Sequence, residues 1–415
     1  MAEKAKAPAI RFKGFTDDWE QRKFGEVAQI RRGLTYNPKN VCKDGVRVLR
    51  SSNINEDTFI LKDDDVFVEP KAANIDFVKE NDILITSANG SSRLVGKHAL
   101  VKKPCMKAVH GGFMLLATAE EPEFTNSLMS SPWYDIFISV YVAGGNGAIG
   151  NLSKTDLEEQ IVFVPIVSEQ KRIGEYFNQL DNLIILHRRK FEKLQNVKKA
   201  MLEKMFPKNG NSVPEIRFAG FTDAWELRKV GELTNVASAA RVHKEEWTSS
   251  GIPFFRSSDV VSAYKGAENQ KAFISCELYE QLAKISGKLE KDDILITGGG
   301  SIGIPYIVPN NKPLYSKDAD LIWVKRSEKF NSRFMYTYFS SPEFRRYLNG
   351  ISHIGTIAHY TIEQVKETPI CLPSIDEQNE IGSHFTHLDK LIALHQRKLE
   401  KLQNVKKACL EKMFV

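Results

Sequence analysis

One phrase of this chain is spelled twice. It reads EKLQNVKKAMLEKMF from Glu192 and EKLQNVKKACLEKMF from Glu400, the copies differing only at Met201 and Cys409. Other strings return at nearly the same offset of 208 residues. PAIRFKGFTDDWE (Pro8 to Glu20) comes back as PEIRFAGFTDAWE (Pro214 to Glu226), RSSNI at Arg50 as RSSDV at Arg256, and NDILIT at Asn81 as DDILIT at Asp292. VPIVSEQKRIG (Val164 to Gly174) likewise matches LPSIDEQNEIG (Leu372 to Gly382). Solenoid units run to roughly 20–50 residues. A repeat this long is a whole module, so the two halves of the chain must share one fold. The 415 residues also exceed what one ordinary core accommodates.

Within each module the texture changes once. Short β-rich runs (VRVLR, DILIT, FMLLAT, IVFVP; then IPFFR, DILIT, LIWVK, ICLP) broken by Gly, Asn, Pro and Ser predict a compact, mainly β domain. PWYDIFISVY after Ser131 and PEFRRYLN after Ser341 are candidate helices, with Pro suited to the first turn. Beyond Pro165 and Pro373 the pattern is helical for about 40 residues, which at ~1.5 Å each makes a rod of about 55 Å. Apolar positions at Ile173, Phe177, Leu180, Ile184, His187, Phe191 and Leu194 recur as Ile381, Phe385, Leu388, Ile392, His395, Leu399 and Leu402. Alternating spacings of four and three make a coiled-coil seam, in which the two histidines are tolerated polar residues that help set register. Ser374 and Glu377 fit a capping box at the second helix's start.

Pairing the two helices with each other, antiparallel, buries both seams; the alternative is that each packs on its own domain. The expected fold is α+β. Two mixed, mainly β domains (residues 1–167 and 208–375) would sit at opposite ends of a spacer made by helices 168–207 and 376–415, with a pseudo-two-fold relation between modules.

Composition narrows the class. Apolar runs such as DNLIILH fall far short of the roughly 18 residues of a membrane span. MAEKAKAP has no apolar stretch behind it, so no secretory signal is expected. Cys42, Cys105, Cys276, Cys371 and Cys409 are scattered without a C-x-x-C pair, against a disulfide framework or a zinc site. A cytoplasmic protein with free thiols is expected. Net charge of +6 permits nucleic-acid binding without demonstrating it.

The landmarks IRFxGFTDxWE, DILIT followed by a Gly/Ser loop, a proline-ended strand before EQ, and then the long helix occur twice. Together they resemble the specificity subunits of type I restriction-modification systems, over essentially the whole chain. The resemblance implies two target-recognition domains, each reading one half of a bipartite, asymmetric sequence in double-stranded DNA. It implies helices that space the half-sites and dock two modification (methyltransferase) subunits, restriction (motor-nuclease) subunits in the same complex, and no catalysis by this chain alone. S-adenosylmethionine, ATP and Mg²⁺ would then belong to partner subunits. A structural adaptor that bridges proteins without reading DNA is the alternative.

The residues agree with a non-catalytic role. YNPKN at Tyr36 lacks the second proline and the aromatic of an amino-methyltransferase motif and reads as a turn. GGGSIG (Gly298 to Gly303) has dinucleotide-loop spacing, but IPYIVP after it reads as a strand where a helix is required. DDDVFVEPK (Asp63 to Lys71) has nuclease-like order, yet Pro70 and the lack of a counterpart make it an exposed acidic turn.

Base-reading domains present Arg, Asn, Gln and Ser on loops, with Lys and Arg nearby for phosphates. In the first module the candidates are Arg31, Arg32, Tyr36 and Asn37; Arg50, Ser51 and Asn53; Asn89, Ser91, Ser92 and Arg93; and Asn146 and Asn151. In the second they are Arg241, His243 and Lys244; Arg256 and Ser257; Gly300 and Ser301; and Ser352, His353, Thr356, His359 and Tyr360. On the helix tails a second apolar stripe of Val197, Met201, Leu202, Met205 and Phe206, repeated as Val405, Cys409, Leu410, Met413 and Phe414, is the candidate docking surface for a modification subunit. Lys198 and Lys199 are placed over DNA or on a solvated face.

Overall fold

The computed structural model describes residues 7–102, 107–142, 150–208, 210–316, 320–351 and 359–415. They form two compact units. One comprises the chain up to Arg188 together with Arg397–Val415, the other Arg189–Gln396.

In the first unit a four-stranded antiparallel sheet runs in the order His98–Leu100, Ile83–Thr86, Met114–Ala119, Ala28–Arg32. A second sheet runs Ala108–His110, Val46–Leu49, Val66–Val68, Val41–Cys42, with the first two strands parallel. A ribbon of Glu20–Lys23 with Ile161–Val164 leads into the first long helix, Val167–Lys204. The second unit repeats this plan. Its sheets run Pro305–Ile307, Ile294–Thr297, Leu321–Val324, Val236–Ala237 and Trp247–Thr248, Ala272–Ile274, Ile252–Phe255, Tyr315–Ser316. The ribbon Glu226–Lys229 with Pro369–Leu372 leads into the helix Ile375–Lys412.

The repeated phrases are the parts that make this plan. ILIT is fully buried in both copies because it is a central strand covered on both faces. The residue two before it takes a left-handed conformation, Asn81 at φ 69° and Asp292 at φ 71°, which Asn and Asp tolerate best among residues with a Cβ. The aspartate that follows staples the turn: Asp82 accepts from Lys79 N (2.8 Å) and Thr118 Oγ1 (2.6 Å), and Asp293 from Glu290 N (2.8 Å) and Arg326 N (2.7 Å).

At the helix starts, Glu169 and Glu377 are fully buried. Arg11 reaches Glu169 through Nε (2.8 Å) and Nη2 (2.6 Å), and Arg217 reaches Glu377 through Nε and Nη2 (both 2.7 Å). This corrects the capping-box expectation. Ser374 Oγ does accept from Glu377 N (3.4 Å), but the carboxylate is held by Arg217 and does not return to the cap. Five residues further on, Gly174 and Gly382 sit inside the helices, where glycine costs about 1 kcal/mol relative to alanine. A Cβ at Gly174 would come within 2.7 Å of Phe124 N, and one at Gly382 within 2.8 Å of Asn331 Oδ1. Close packing on the helices Pro122–Leu128 and Ser332–Phe339 therefore requires glycine.

The long helices run antiparallel to each other in both units. In the first, Lys406 pairs with Asp181 (2.7 Å) and Cys409 Sγ lies 3.5 Å from Tyr176 Oη; in the second, Lys198 pairs with Asp389 (2.5 Å). Lys198 is therefore an inter-helix partner, whereas Lys199 is exposed. Ile173, Phe177, Leu180 and Ile184 are buried along the seam, as are Ile381, Phe385 and Leu388; His187 and His395 are half-buried.

The two modules part company after Arg-Ser-Ser. Asn53 accepts from Arg50 N (2.8 Å) and donates to Ile60 O (3.0 Å) and Asp65 Oδ1 (2.8 Å), which folds the chain into a hairpin of Ile54–Asn55 and Thr58–Phe59. In the second copy Asp259 accepts from Arg256 N (2.9 Å) and a helix, Ser257–Lys265, continues until Gly266 at φ 67°. A further helix, Cys276–Ser286, follows.

Candidate nucleic-acid interface

In the first unit the candidate loops arrive from four segments, and one turn holds them together. Met114 N donates to Gly111 O (2.8 Å), closing a turn with Phe113 at its third position. Leu34 N donates to His110 O (2.7 Å), which ties in the Arg31–Asn37 segment, and Gly111 N donates to Leu49 O (2.8 Å), beside Arg50. Ser87 N and Ala88 N both donate to Phe113 O (2.9 and 3.1 Å), and Gly150–Asn151 pairs with Ala88–Asn89. Asn89 links two loops, its Nδ2 donating to Ser51 Oγ (3.0 Å) and its Oδ1 accepting from Ser91 N (2.9 Å). Arg32, Ser91, Ser92, Arg93 and Asn151 face solvent around this hub. Arg50 Nε and Ser52 Oγ are buried without a hydrogen-bond partner among the described residues. Such atoms carry a desolvation cost that a bound group or water removes.

Other candidates have partners within the protein. Asn53 is fully buried in its hairpin network and reaches no base. Arg31 pairs with Asp82 (3.1 Å) and Asp76 (3.7 Å), Tyr36 packs half-buried on the core, and Asn37 accepts from Lys39 N (3.0 Å) as an N-cap. The acidic turn is only partly exposed: Asp63 and Asp64 face solvent, whereas Asp65 is buried between Arg47 and Asn53. Among the described residues no group of His, Cys, Asp and Glu is arranged to hold a metal ion.

The second unit repeats two of these backbone bonds. Gly298 N donates to Asp320 O (2.5 Å), and Tyr360 N donates to Gly298 O (2.7 Å), as Leu152 N does to Ser87 O (2.7 Å). Arg345 clamps the glycine loop by donating to Ile302 O (2.7 Å) and Gly303 O (3.0 Å), and the strand Pro305–Ile307 follows where a cofactor loop requires a helix. Gly300, Ser301, His359, Arg241, His243 and Lys244 are exposed. Tyr360 is not: it is 2% exposed and its hydroxyl meets Thr368 Oγ1 at 2.5 Å, so it is a core residue. Arg256 is held by Asp259 (2.8 Å) and lies over the Trp247 ring at 5.4 Å, with Ser257 half-buried beside it. Asn146, Ser352, His353 and Thr356 lie outside the described residues, as does Cys105.

His110 sits beneath the first hub, next to Arg31. Its Nε2 lies 3.2 Å from Arg31 O, and burial pushes its pKa from 6.5 down to about 4, assisted by the Arg31 charge. The folded unit thus favours neutral imidazole, and the unfolded chain takes up the proton first as pH falls. Stability from this group is complete above pH 6.5 and declines as pH drops from there toward 4, by an amount on the order of 3 kcal/mol. Denaturation midpoints at pH 7.5 and pH 5 should converge in a His110→Gln variant; an unchanged acid dependence would exclude His110 as its source.

Two segments of the chain, residues 16–196 and 222–404, match the family model of the type I restriction modification DNA specificity domain. The chain belongs to this family. The specificity subunit of the type I restriction enzyme EcoKI of Escherichia coli (strain K12) is 24% identical over 96% of this chain and 89% of its own. The MjaVIII specificity subunit of Methanocaldococcus jannaschii is 25% identical over 80% of this chain and 77% of its own. The crystal structure of a type I S subunit from M. genitalium superposes with a TM-score of 0.66 at 14% identity, covering 99% of both chains, which shows the shared fold.

For this specificity-domain chain the helix tails need a correction. Met205 and Phe206 are each 2% exposed in the second unit's core, and Met413 and Phe414 are buried in the first's. Val197, Met201, Leu202, Cys409 and Leu410 pack half-buried on the same cores; Val405 is exposed. Phe206 meets Trp225 edge-on at 6.1 Å and Phe414 meets Trp19 at 6.1 Å. The buried members of the tail phrase are thus taken up by pockets of the protein's own recognition domains, which leaves no face of them for another subunit. No described helix is long and apolar enough to cross a membrane.

Proposed function

We propose that this chain is the sequence-reading subunit of a type I restriction-modification complex, with one recognition domain for each half of a bipartite, asymmetric target. The observation that carries the reading is the contrast within the repeat. The Arg–Glu clamps, buried tryptophans and helix tails are the same in both modules, whereas equivalent hub positions carry Phe113 and Asn151 in one and Asp320 and His359 in the other. Two rigid copies of one scaffold then present different chemistry to DNA. Backbone-held loops position the duplex through phosphates, and Arg, Asn, Ser and His side chains select base edges.

The helices that link the domains in sequence set the gap and carry two modification subunits, with restriction subunits joining the assembly. Leu183 and Leu186 on the first helix, and Leu394 at the place equivalent to Leu186 on the second, are exposed and offer docking positions that the buried tails do not. Methyl transfer with S-adenosylmethionine and cleavage with ATP and Mg²⁺ belong to those partners.

The test is methylation of a randomised DNA library by the complete complex, followed by sequencing of modified sites. A two-part motif with a fixed gap is expected. Exchange of residues 1–167 for those of another specificity subunit should alter one half only, and charge placed at Leu183 and Leu186 should weaken capture of the modification subunit. Efficient methylation without any enriched motif would leave the chain as a protein adaptor, and a swap that altered both halves would refute the assignment of one half-site to each domain.

A further inference from the structure

Phe113 is 72% exposed, and no part of the first unit's fold requires it to be. A single exposed apolar residue is ordinary on a protein surface. This one stands at the third position of the turn to which three other segments hydrogen-bond, with its backbone fixed from both sides. Its carbonyl accepts from Ser87 N and Ala88 N, and the turn is closed by the Met114 N to Gly111 O bond. The ring is therefore carried on a fixed backbone, and Asn151 is close to it in the sheet, because Asn151 pairs with Ala88, whose N donates to Phe113 O.

The second module has Asp320 in that place. The equivalence rests on hydrogen bonds, since Gly298 N meets Asp320 O as Ser87 N meets Phe113 O, and the next strand, Leu321–Val324, follows Asp320 as Met114–Ala119 follows Phe113. Tyr360 N meets Gly298 O as Leu152 N meets Ser87 O, which makes His359 the counterpart of Asn151. The carboxylate of Asp320 lies against Gly299, where a Cβ would come within 2.4 Å of its Cγ, and its Oδ1 lies 4.0 Å from His359 Nδ1. The same two scaffold positions thus hold Phe113 and Asn151 in one copy and Asp320 and His359 in the other.

We propose that these positions form the main base-selecting pair of each recognition domain, an inference that rests on the sequence-reading function above. Phe113 contacts the C5-methyl of thymine while Asn151 addresses the adjoining adenine edge, so the first domain's half-site contains an A·T pair here. Asp320 accepts from an exocyclic amino group, that of cytosine or adenine, and His359 donates to a neighbouring purine acceptor. Apolar contact with the thymine methyl and carboxylate contact with an amino group are established forms of major-groove readout.

The experiment uses the full chain with its modification subunits on the randomised library. Phe113→Ala should flatten the preference at one A·T position of one half-site by roughly tenfold, the size of a single lost base contact, and leave the other half unchanged. Phe113→Leu should keep most of that preference, Phe113→Asp should move it toward a base bearing an amino group, and Asp320→Phe should affect only the opposite half. If Phe113→Ala leaves the motif unchanged, or weakens methylation of every target equally, the assignment is overturned. Equal loss from Leu and Asp at position 113 overturns it too. Should the alanine variant not fold, the Leu and Asp pair decides alone. A wild-type complex that enriches no bipartite motif would instead refute the sequence-reading function itself, before any variant is compared.

Discussion

Phe414→Ala lowers the stability of the first unit by about 3–4 kcal/mol and leaves the second unit nearly unaffected. The ring is 7% exposed and lies within 5.8–6.1 Å, centroid to centroid, of Phe177, Phe124 and Trp19. Truncating a buried phenylalanine removes its transfer energy and leaves a cavity, together worth about 3–5 kcal/mol. The surrounding rings are themselves fixed, Trp19 by its strand ribbon and Phe177 by the long helix, so the cavity cannot easily collapse. Hydrogen exchange followed by mass spectrometry separates the units, because the fully buried strands Ile83–Thr86 and Ile294–Thr297 report on one each. Faster exchange in Ile83–Thr86 alone is expected, and Phe206→Ala should give the mirror result. Equal acceleration in both strands would mean that the tails do not act locally.

Arg217→Ala has an effect of similar size by a different route. Glu377 has no exposed surface, and Arg217 supplies two of its charge-assisted hydrogen bonds. Removal of one partner from a buried ion pair strands the other charge at a cost of about 3–5 kcal/mol. The pair itself is worth far less than that, because both groups were taken from water to make it. Arg217→Met combined with Glu377→Leu should therefore recover most of the loss, and a double-mutant cycle by chemical denaturation measures the difference. If the double variant were as unstable as the single one, the pair would be holding the ribbon to the helix by geometry and not merely cancelling charge. Arg11 and Glu169 give an independent repeat of the same measurement in the first unit.

Most of the architecture was legible because it is periodic or repeated. The central strands, the helices begun by Pro132 and Pro342, and the antiparallel rods all follow from patterns of two, three and four residues. What was not legible depends on which partner a side chain finds. Asn53 and Tyr360 look like base readers in a string of letters, yet each fills a buried polar position within its own domain. The tail phrase carries two apolar stripes, and a stripe does not announce whether a neighbouring domain or another chain will cover it. RSSNI and RSSDV look interchangeable, although VVSAYKG after the second contained a helix with its terminating glycine. The hub turn was missed for a similar reason. HGGF shows only a glycine pair before a strand, and nothing local reveals that three other segments hydrogen-bond to it.

One joint in the structure is made twice. Ile216 N donates to Lys204 O at 2.9 Å, where the chain passes directly from the first long helix into the next module. Ile10 N donates to Lys412 O, also at 2.9 Å. The same joint is thus made in each unit, between a helix tail and the first residues of a module. Each joint lies beside tail residues that are buried in a core, so an exchanged module preserves that core only if it brings the same tail phrase, which is why the phrase is spelled twice.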